Sequence, residues 1–326
     1  MTFNDLIYRL VRPFGGLQLA KYLARRHPRI LMYHRVALTP AEGAIGVDQF
    51  RQQMRTIKRE LNPISLEDLI SANDRNIVPK NAIVITFDDG YADFYQHAFP
   101  VLKEEGIPCT LFVTTGFVNG DIWLWPDRLR FCVDKSLQES IRVPGQDRAL
   151  SLSGNQQAVW NALADHCLTL SSPDKARFIE SVATELGVSP PHAPPLEYQA
   201  LNWDQVREIT RSGFTIGSHS VTHPIMTSLD DASLKFELTE SKAEIERQIE
   251  RPVNAFCYPN GQPFDFDERV KTAVHAAGYQ CALAAFPGRN TLGDRLAIHR
   301  YPGSLSAAMF EKTVFGFSYL RLPRNA

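Results

Sequence analysis

The chain has 326 residues, 44% of them hydrophobic and 22% charged, with a formal net charge of −1 at neutral pH. A chain of this length buries a full core, hiding roughly three quarters of the surface it exposes when unfolded, and fits one large α/β domain or two ordinary ones. The charge balance excludes the basic excess of a nucleic-acid binder, and the scattered prolines and glycines exclude a fibrous or disordered chain.

In chain order, the opening stretch MTFNDLIYRLVRPFGG has apolar residues interrupted by Asp5, Arg9 and Arg12. It lacks the apolar core and small-residue cleavage site of a secretory signal. No run nears the roughly 18 apolar residues of a membrane span, so a cytoplasmic protein is the expectation. Leu6, Ile7, Leu10, Val11 and Phe14, with Arg9, Arg12, Lys21, Arg25 and Arg26 nearby, suggest peripheral contact with the inner membrane face. The C-terminal FGFSYLRLPR is a second basic-aromatic stretch.

Residues 1–28 read as a helical extension, followed by a first strand, Arg29–His34. A helix over Val47–Glu60 carries Phe50, Met54 and Ile57 at helical spacing. Ala82–Phe87 is a nearly continuous apolar run, as a strand buried on both faces requires. A helix over Ala92–Glu105 stops at Gly106 and Pro108, and Cys109–Thr114 is the next strand. From about Asp121 to Leu201 the rhythm breaks into Pro, Ser and Gln clusters around two helical patterns, Asn155–Leu170 and Pro173–Leu186, which reads as a helical insertion. The strand–helix rhythm resumes at Trp203–Ser212, then Thr215–Ser218 and a long helix near Asp230–Glu250. Asn254–Tyr258 and Tyr279–Ala284 read as strands around a helix, Asp265–Ala277, with Ala297–Tyr301 as the last strand and 303–326 as a tail. The alternation specifies an α/β fold with a largely parallel, barrel-like sheet, whose site lies where strands end and loops begin. Five cysteines (Cys109, Cys132, Cys167, Cys257 and Cys281) form no CxxC pair and are expected to be buried thiols.

Three segments carry chemistry, each just after an expected strand. Asp88 and Asp89, in TFDDG, stand at the tip of a hydrophobic strand, where burial is costly unless each has a partner. Neighbouring strand side chains point to opposite sides, so one can bind a metal while the other accepts a proton. In isolation such a pair would be only a capped turn. His219 and His223 are four residues apart, a spacing that places both on one side of a helical turn, able to pinch one cation. One aspartate plus two histidines leaves positions open for water and substrate, as a catalytic metal site requires. The strand Phe256–Tyr258 runs into Pro259, Asn260 and Gly261, a turn whose backbone N–H groups can hold an oxyanion.

Together LMYHRV, TFDDGY, SHSVTH and YPNG, in this order and spacing, resemble the polysaccharide deacetylases of the NodB-homology group, carbohydrate esterase family 4. The resemblance covers residues 29–120 and 200–302, which implies one NodB-like domain over 29–302 interrupted by the 121–201 insertion. It implies a distorted (β/α) barrel of the polysaccharide deacetylase type and a divalent metal held by Asp89, His219 and His223. Two imidazoles and a carboxylate suit Zn²⁺, and Co²⁺, Ni²⁺ or Fe²⁺ fit the same geometry. It implies Asp88 as general base toward a metal-activated water, with Tyr258, Pro259, Asn260 and Gly261 at the substrate and the Asn260 N–H at the oxyanion. The implied reaction is removal of N-acetyl groups from an N-acetylhexosamine.

The third motif departs from the family pattern. Cys257 stands where the family has an arginine that orients the base, and Asn260 where it has a tyrosine. Arg300 is the candidate replacement, because its fork matches a carboxylate. The family's general acid is a histidine in a late Leu-x-His motif, and His299 is the candidate, one residue off that spacing. A one-residue slip turns a strand side chain to the other face, so either His299 or Arg300 faces the site. His34, ending the first strand, is a further pocket candidate, with a backbone-bonded core histidine as the alternative. Trp123 and Trp125 can stack on sugar rings, whereas Trp203 reads as core.

The expected protein is thus a metal-dependent glycan N-deacetylase. Given the expected location, its partner is an N-acetylated carbohydrate in precursor form, lipid-linked or nucleotide-linked. Two other functions use the same residues, an O-acetyl esterase acting on a glycan and a catalytically silent carbohydrate-binding protein. The sequence carries no signal for oligomeric state.

Overall fold

The computed structural model describes residues 15–39, 43–290, 292–303 and 306–321. The expectations on Leu6–Phe14 and on the chain after Arg321 lie outside these residues.

The strands are β1 Arg29–Tyr33, β2 Arg35–Ala37, β3 Ala44–Gly46, β4 Asn62–Pro63, β5 Ala82–Phe87, β6 Cys109–Val113, β7 Ser140–Arg142, β8 Ala149–Ser151, β9 Thr215–Ser218, β10 Ala255–Cys257, β11 Cys281–Leu283 and β12 Tyr301–Pro302. Eight of them make one sheet in the order β11-β10-β9-β6-β5-β1-β12, with β4 beside β5. Every pairing in it is parallel. The two ends of this sheet meet. The Ala284 N–H donates to Ile298 O at 2.8 Å and the Ile298 N–H to Ala282 O at 2.9 Å, while Leu31 pairs with Tyr301. Residues 298–302 therefore join β11 to β1 and curl the sheet into a barrel. This is the expected distorted (β/α) barrel.

Strand alternation divides the apolar residues between two cores. Leu31 and Tyr33, Ile83, Ile85 and Phe87, and Leu111 and Val113 pack outward against the helices. Ile30, Val84, Phe112, Cys257, Leu283 and Ile298 point to the barrel interior. A helix over Leu66–Asp74, not anticipated from the sequence, closes this interior: Leu66, Leu69 and Ile70 join the inner cluster. Its start is fixed by Ser65, whose hydroxyl accepts the Asp68 N–H at 3.0 Å.

The helix Val47–Glu60 matches its expected bounds. The helix expected over 92–105 is instead a π-helical turn, Phe94–Ala98, leading into Phe99–Glu105. Pro100 has no N–H to donate one turn back, and the wider turn absorbs the missing bond. The insertion holds three α-helices rather than two, Trp125–Lys135, Gln156–Leu168 and Ser172–Glu185, with the antiparallel pair β7–β8 and a short 3-10 turn at Leu196–Tyr198. It buries its own cluster, including Leu129, Cys132, Leu163, Cys167, Ile179 and Val182. All five cysteines are free and buried. Residues after 303 are more than a tail: the helix Ala307–Val314 places Phe310 and Val314 in the outer core and packs on the helix Gly16–Leu23. No helix among the described residues is long and apolar enough to cross a membrane.

Candidate active site

The three motifs meet where the strands end. Asp88 continues the inward series Val84, Thr86 of β5, and its carboxylate is 2% exposed. Arg300 is fully buried and reaches it from the barrel seam, donating from Nη1 to Oδ1 at 2.7 Å and from Nη2 to Oδ2 at 2.8 Å. The other donors are also taken: Nε by Ala284 O at 2.8 Å, Nη1 by Thr86 Oγ1 at 3.2 Å and Nη2 by Cys257 Sγ at 2.9 Å. All five N–H groups of the guanidinium thus have acceptors. Burial pushes the Asp88 carboxyl up, but Arg300 and then His219 outweigh it and hold the carboxylate below its ordinary range. A small side chain at 257 leaves the space through which the guanidinium reaches the acid.

Alternation settles the choice between the two late residues. Arg300 lies inside, so His299 turns out. Its ring sits edge-on to Phe286, with centroids 4.8 Å apart, and leaves no room for a side chain at Gly288. The structure packs His299, expected as the general acid, against Phe286 and does not bring it to the carboxylates. Among the described histidines, His34 takes the place beside the base. Its Nε2 lies 3.9 Å from Asp88 Oδ2, and its side chain is 41% exposed, facing the open end.

Asp89 leaves the strand in the left-handed region at φ 73°, followed by Gly90 at φ 92°. This swings its carboxylate away from Arg300 toward the histidines. Asp89 Oδ1 stands 3.4 Å from Nε2 of both His219 and His223. The two histidines are not on a helical turn as expected. They lie on an irregular loop bent by positive φ at Ser220 (68°) and His223 (58°). Glu237, from the helix Asp231–Ile249, holds that loop by accepting the N–H groups of Val221 at 2.7 Å and Thr222 at 2.9 Å, and the Thr222 hydroxyl. Such strained conformers persist only where their surroundings enforce them.

The donor set fits a cation. His219 Nδ1 lies 2.7 Å from Cys257 O, which makes Nδ1 a proton-bearing nitrogen and turns Nε2 toward Asp89. Burial, then the neighbouring His219, pushes His223 down to about 4, so His223 offers a lone pair, whereas Cys257 and Asp89 hold His219 above its ordinary range and a cation at Nε2 would displace its proton. Asp89 Oδ1 is buried without a hydrogen-bond partner. Tetrahedral zinc ligands at about 2.0–2.1 Å from the ion stand about 3.3–3.4 Å from one another, the spacing seen between Asp89 and each imidazole. A second cluster, Asp88, His219 and Cys257, also converges. It fits less well, since Arg300 occupies Asp88, and burial pushes the Cys257 thiol up and keeps it protonated.

The Pro259–Gly261 turn borders the site. Asn260 (φ 57°) and Gly261 (φ 61°) are both left-handed. The Asn260 side chain donates to Asp265 Oδ2 at 2.5 Å, and its backbone N–H is left without a partner among the described residues. Tyr258, expected at the substrate, is core instead. It is fully buried, its ring stacks on Phe266 at 4.0 Å, and its hydroxyl donates to Leu296 O at 2.8 Å.

Beneath the site lies a polar layer that sequence reasoning missed. Arg35 donates to Asp93 Oδ2 at 2.9 Å and covers the Tyr91 ring at 4.9 Å. Tyr91 in turn donates to Asp127 Oδ2 at 2.6 Å. Arg35 and Tyr91 lie inside the motifs LMYHRV and TFDDGY, and that membership was the available signal. Trp123 packs between Phe131 and Tyr198, and Trp203 lies against the outer core with its indole N–H on Asn119 at 2.8 Å.

Comparison with known proteins agrees with this geometry. The polysaccharide deacetylase family model matches residues 75–143 and 175–282, more than half of the chain, and skips a stretch inside the insertion. The protein YxkH of Bacillus subtilis (strain 168) is 21% identical over 222 residues, 68% of this chain and 51% of that protein. The poly-beta-1,6-N-acetyl-D-glucosamine N-deacetylase of Staphylococcus aureus (strain MSSA476) is 30% identical over 77 residues, 23% of this chain and 27% of that enzyme. The chain thus spans about half the length of the first relative and about a quarter of the second. Among solved structures, the Streptococcus pyogenes deacetylase PplD in complex with acetate superposes with a TM-score of 0.59 at 17% identity, covering 92% of this chain and 100% of that one. IcaB from Ammonifex degensii gives 0.58 at 17% identity, covering 88% and 97%. These two share the fold. With the family model matched on both sides of the insertion, and the aspartate and histidine motifs folded to one place, the chain belongs to the polysaccharide deacetylase family.

Proposed function

We propose that this protein hydrolyses N-acetyl groups of an N-acetylhexosamine-containing glycan or glycan precursor. The observation that carries the reading is the pairing of a buried, arginine-clamped carboxylate with an adjacent, convergent Asp-His-His set. Asp89, His219 and His223 would hold a divalent cation, zinc by donor type, and when bound it polarises the acetyl carbonyl and acidifies a water. Asp88 is the base: Arg300 keeps it ionised and fixes its plane, so it can take the proton of the attacking water. The unpartnered Asn260 N–H donates to the oxygen on which negative charge develops. His34, on the open side of Asp88, delivers a proton to the departing amine. The Staphylococcus relative supports an N-acetylglucosamine polymer as substrate class.

The test is acetate release from oligomers of β-1,6- and β-1,4-linked N-acetylglucosamine by the metal-loaded protein. Asp88→Asn should lower the rate about 10²–10⁴-fold, the usual contribution of a general base, while metal content stays intact. Asp89→Ala should lose the metal as well. Metal bound with no acetate released from any N-acetylated or O-acetylated glycan would leave a binding protein instead.

A further inference from the structure

The helix Ser172–Glu185 of the insertion turns an apolar stripe inward, with Phe178, Ile179, Val182 and Ala183 buried on it. Lys175 occupies the first position of that stripe and is only 5% exposed. Lysine is among the residues least often buried without a partner, because an ammonium removed from water is costly unless paired. Yet Lys175 makes no side-chain hydrogen bond or ion pair among the described residues. Its Nζ stands 4.7 Å from the centroid of the Trp125 ring, an aromatic wall that favours a cation without neutralising it.

The ammonium stands at the junction between the insertion and the metal-binding end of the barrel. The Trp125 ring under it belongs to the helix Trp125–Lys135, whose Asp127 accepts from the hydroxyl of Tyr91 at 2.6 Å, two residues after Asp89. Asp265 is not a free counter-ion: its Oδ2 already accepts from Asn260 at 2.5 Å and from the Gln262 N–H at 2.7 Å. A buried donor without a partner, Trp123 Nε1, lies two residues before Trp125 in the same segment.

We propose that Lys175 is a specificity-determining residue that binds an anionic substituent, a carboxylate or a phosphate ester, on the N-acetylated sugar. The inference rests on the deacetylase reading for the identity of the sugar. With Asp88 clamped by Arg300 and Asp89 turned to the cation site, an ammonium outside that set has no carboxylate of the site to pair with and is left to an anionic substituent. The insertion supplies that ammonium, on a helix outside the barrel.

Binding to the metal-loaded full chain, measured by calorimetry, tests this without turnover. The probes are N-acetylglucosamine 1-phosphate, N-acetylmuramic acid and neutral N-acetylglucosamine, on the wild type, Lys175→Met and Lys175→Arg. The wild type should bind one anionic probe at least about tenfold more tightly than the neutral sugar, and the better of the two names the substituent. Lys175→Met, which keeps the stripe apolar, should bring that ratio to about one, and Lys175→Arg should restore most of it. No anionic preference in the wild type, or an unchanged ratio in Lys175→Met, overturns the proposal. So does equal weakening for all three sugars, which would mean that Lys175 only supports the fold. Asp88→Asn separates the two readings: it should lower acetate release about 10²–10⁴-fold and keep the anionic preference.

Discussion

Replacing Arg300 by Met, Asp88 by Asn, and both together tests the link between barrel seam and base. Arg300 is fully buried, and each of its five N–H groups has an acceptor, two of them the oxygens of Asp88. Arg300→Met strands a buried carboxylate, an error that costs about 3–5 kcal/mol. Asp88→Asn strands a buried guanidinium and should cost about 2–4 kcal/mol by the same physics. The double variant buries neither charge, so its loss should fall short of the sum by about 2–3 kcal/mol, at the upper end of couplings between contacting residues. Urea unfolding followed by circular dichroism, on metal-free protein at one pH, gives the four free energies of the cycle. Losses that add to within about 0.5 kcal/mol would show that the two side chains are energetically independent, and the clamp would have to be abandoned.

Three further outcomes follow from other parts of the molecule. Gly261→Ala should destabilise by about 1–3 kcal/mol, because φ is 61° and a Cβ there would meet Ala285 N and Tyr258 O at 2.9 Å; unchanged stability in the same urea assay would refute it. Asp127 is pushed up to about 7 by burial, so the folded state prefers its protonated form. This stabilises most below the unfolded pKa near 4 and fades as pH rises toward 7, by on the order of 2–4 kcal/mol. Asp127→Asn should lack this decline between pH 4.5 and 7.5, and identical profiles would sink the assignment. On the helix Gly16–Leu23, Leu19 (61%), Tyr22 (59%) and Leu23 (52%) are exposed on one face ahead of Arg25 and Arg26. We propose that this face contacts anionic lipid, so flotation with phosphatidylglycerol vesicles should be lost in Leu19→Asp/Leu23→Asp and absent with phosphatidylcholine; equal recovery in all arms would exclude it.

Much of this architecture was legible from period and punctuation. Ala82–Phe87 and Val47–Glu60 emerge with their expected bounds, because a long apolar run and helical spacing are local signals, and the short strand Thr215–Ser218 keeps its bounds as well. The helix Leu66–Asp74 also had local signals, Ser65 as its cap and Leu66, Leu69 and Ile70 at helical spacing, yet its role as a plug is a tertiary fact. Asp88, Asp89, His219 and His223 were legible as a set. The shape of the loop carrying the histidines was not, since Glu237 imposes it from another element. His299 and Arg300 differ by one residue, and only the register of the closing strand decides between them. Tyr258 was placed at the substrate because it adjoins the turn, whereas alternation sends its ring into the core.

The seam at 298–302 also bears on the order of assembly. Arg300 follows Asp88 by 212 residues, so the acid emerges from the ribosome long before its partner exists. Until those residues dock, the barrel has an open edge and the carboxylate has no counter-charge. Such long-range closure is entropically late in folding. Completion of the barrel and readiness of the base are therefore one event, and a chain cut before 298 would lose both together.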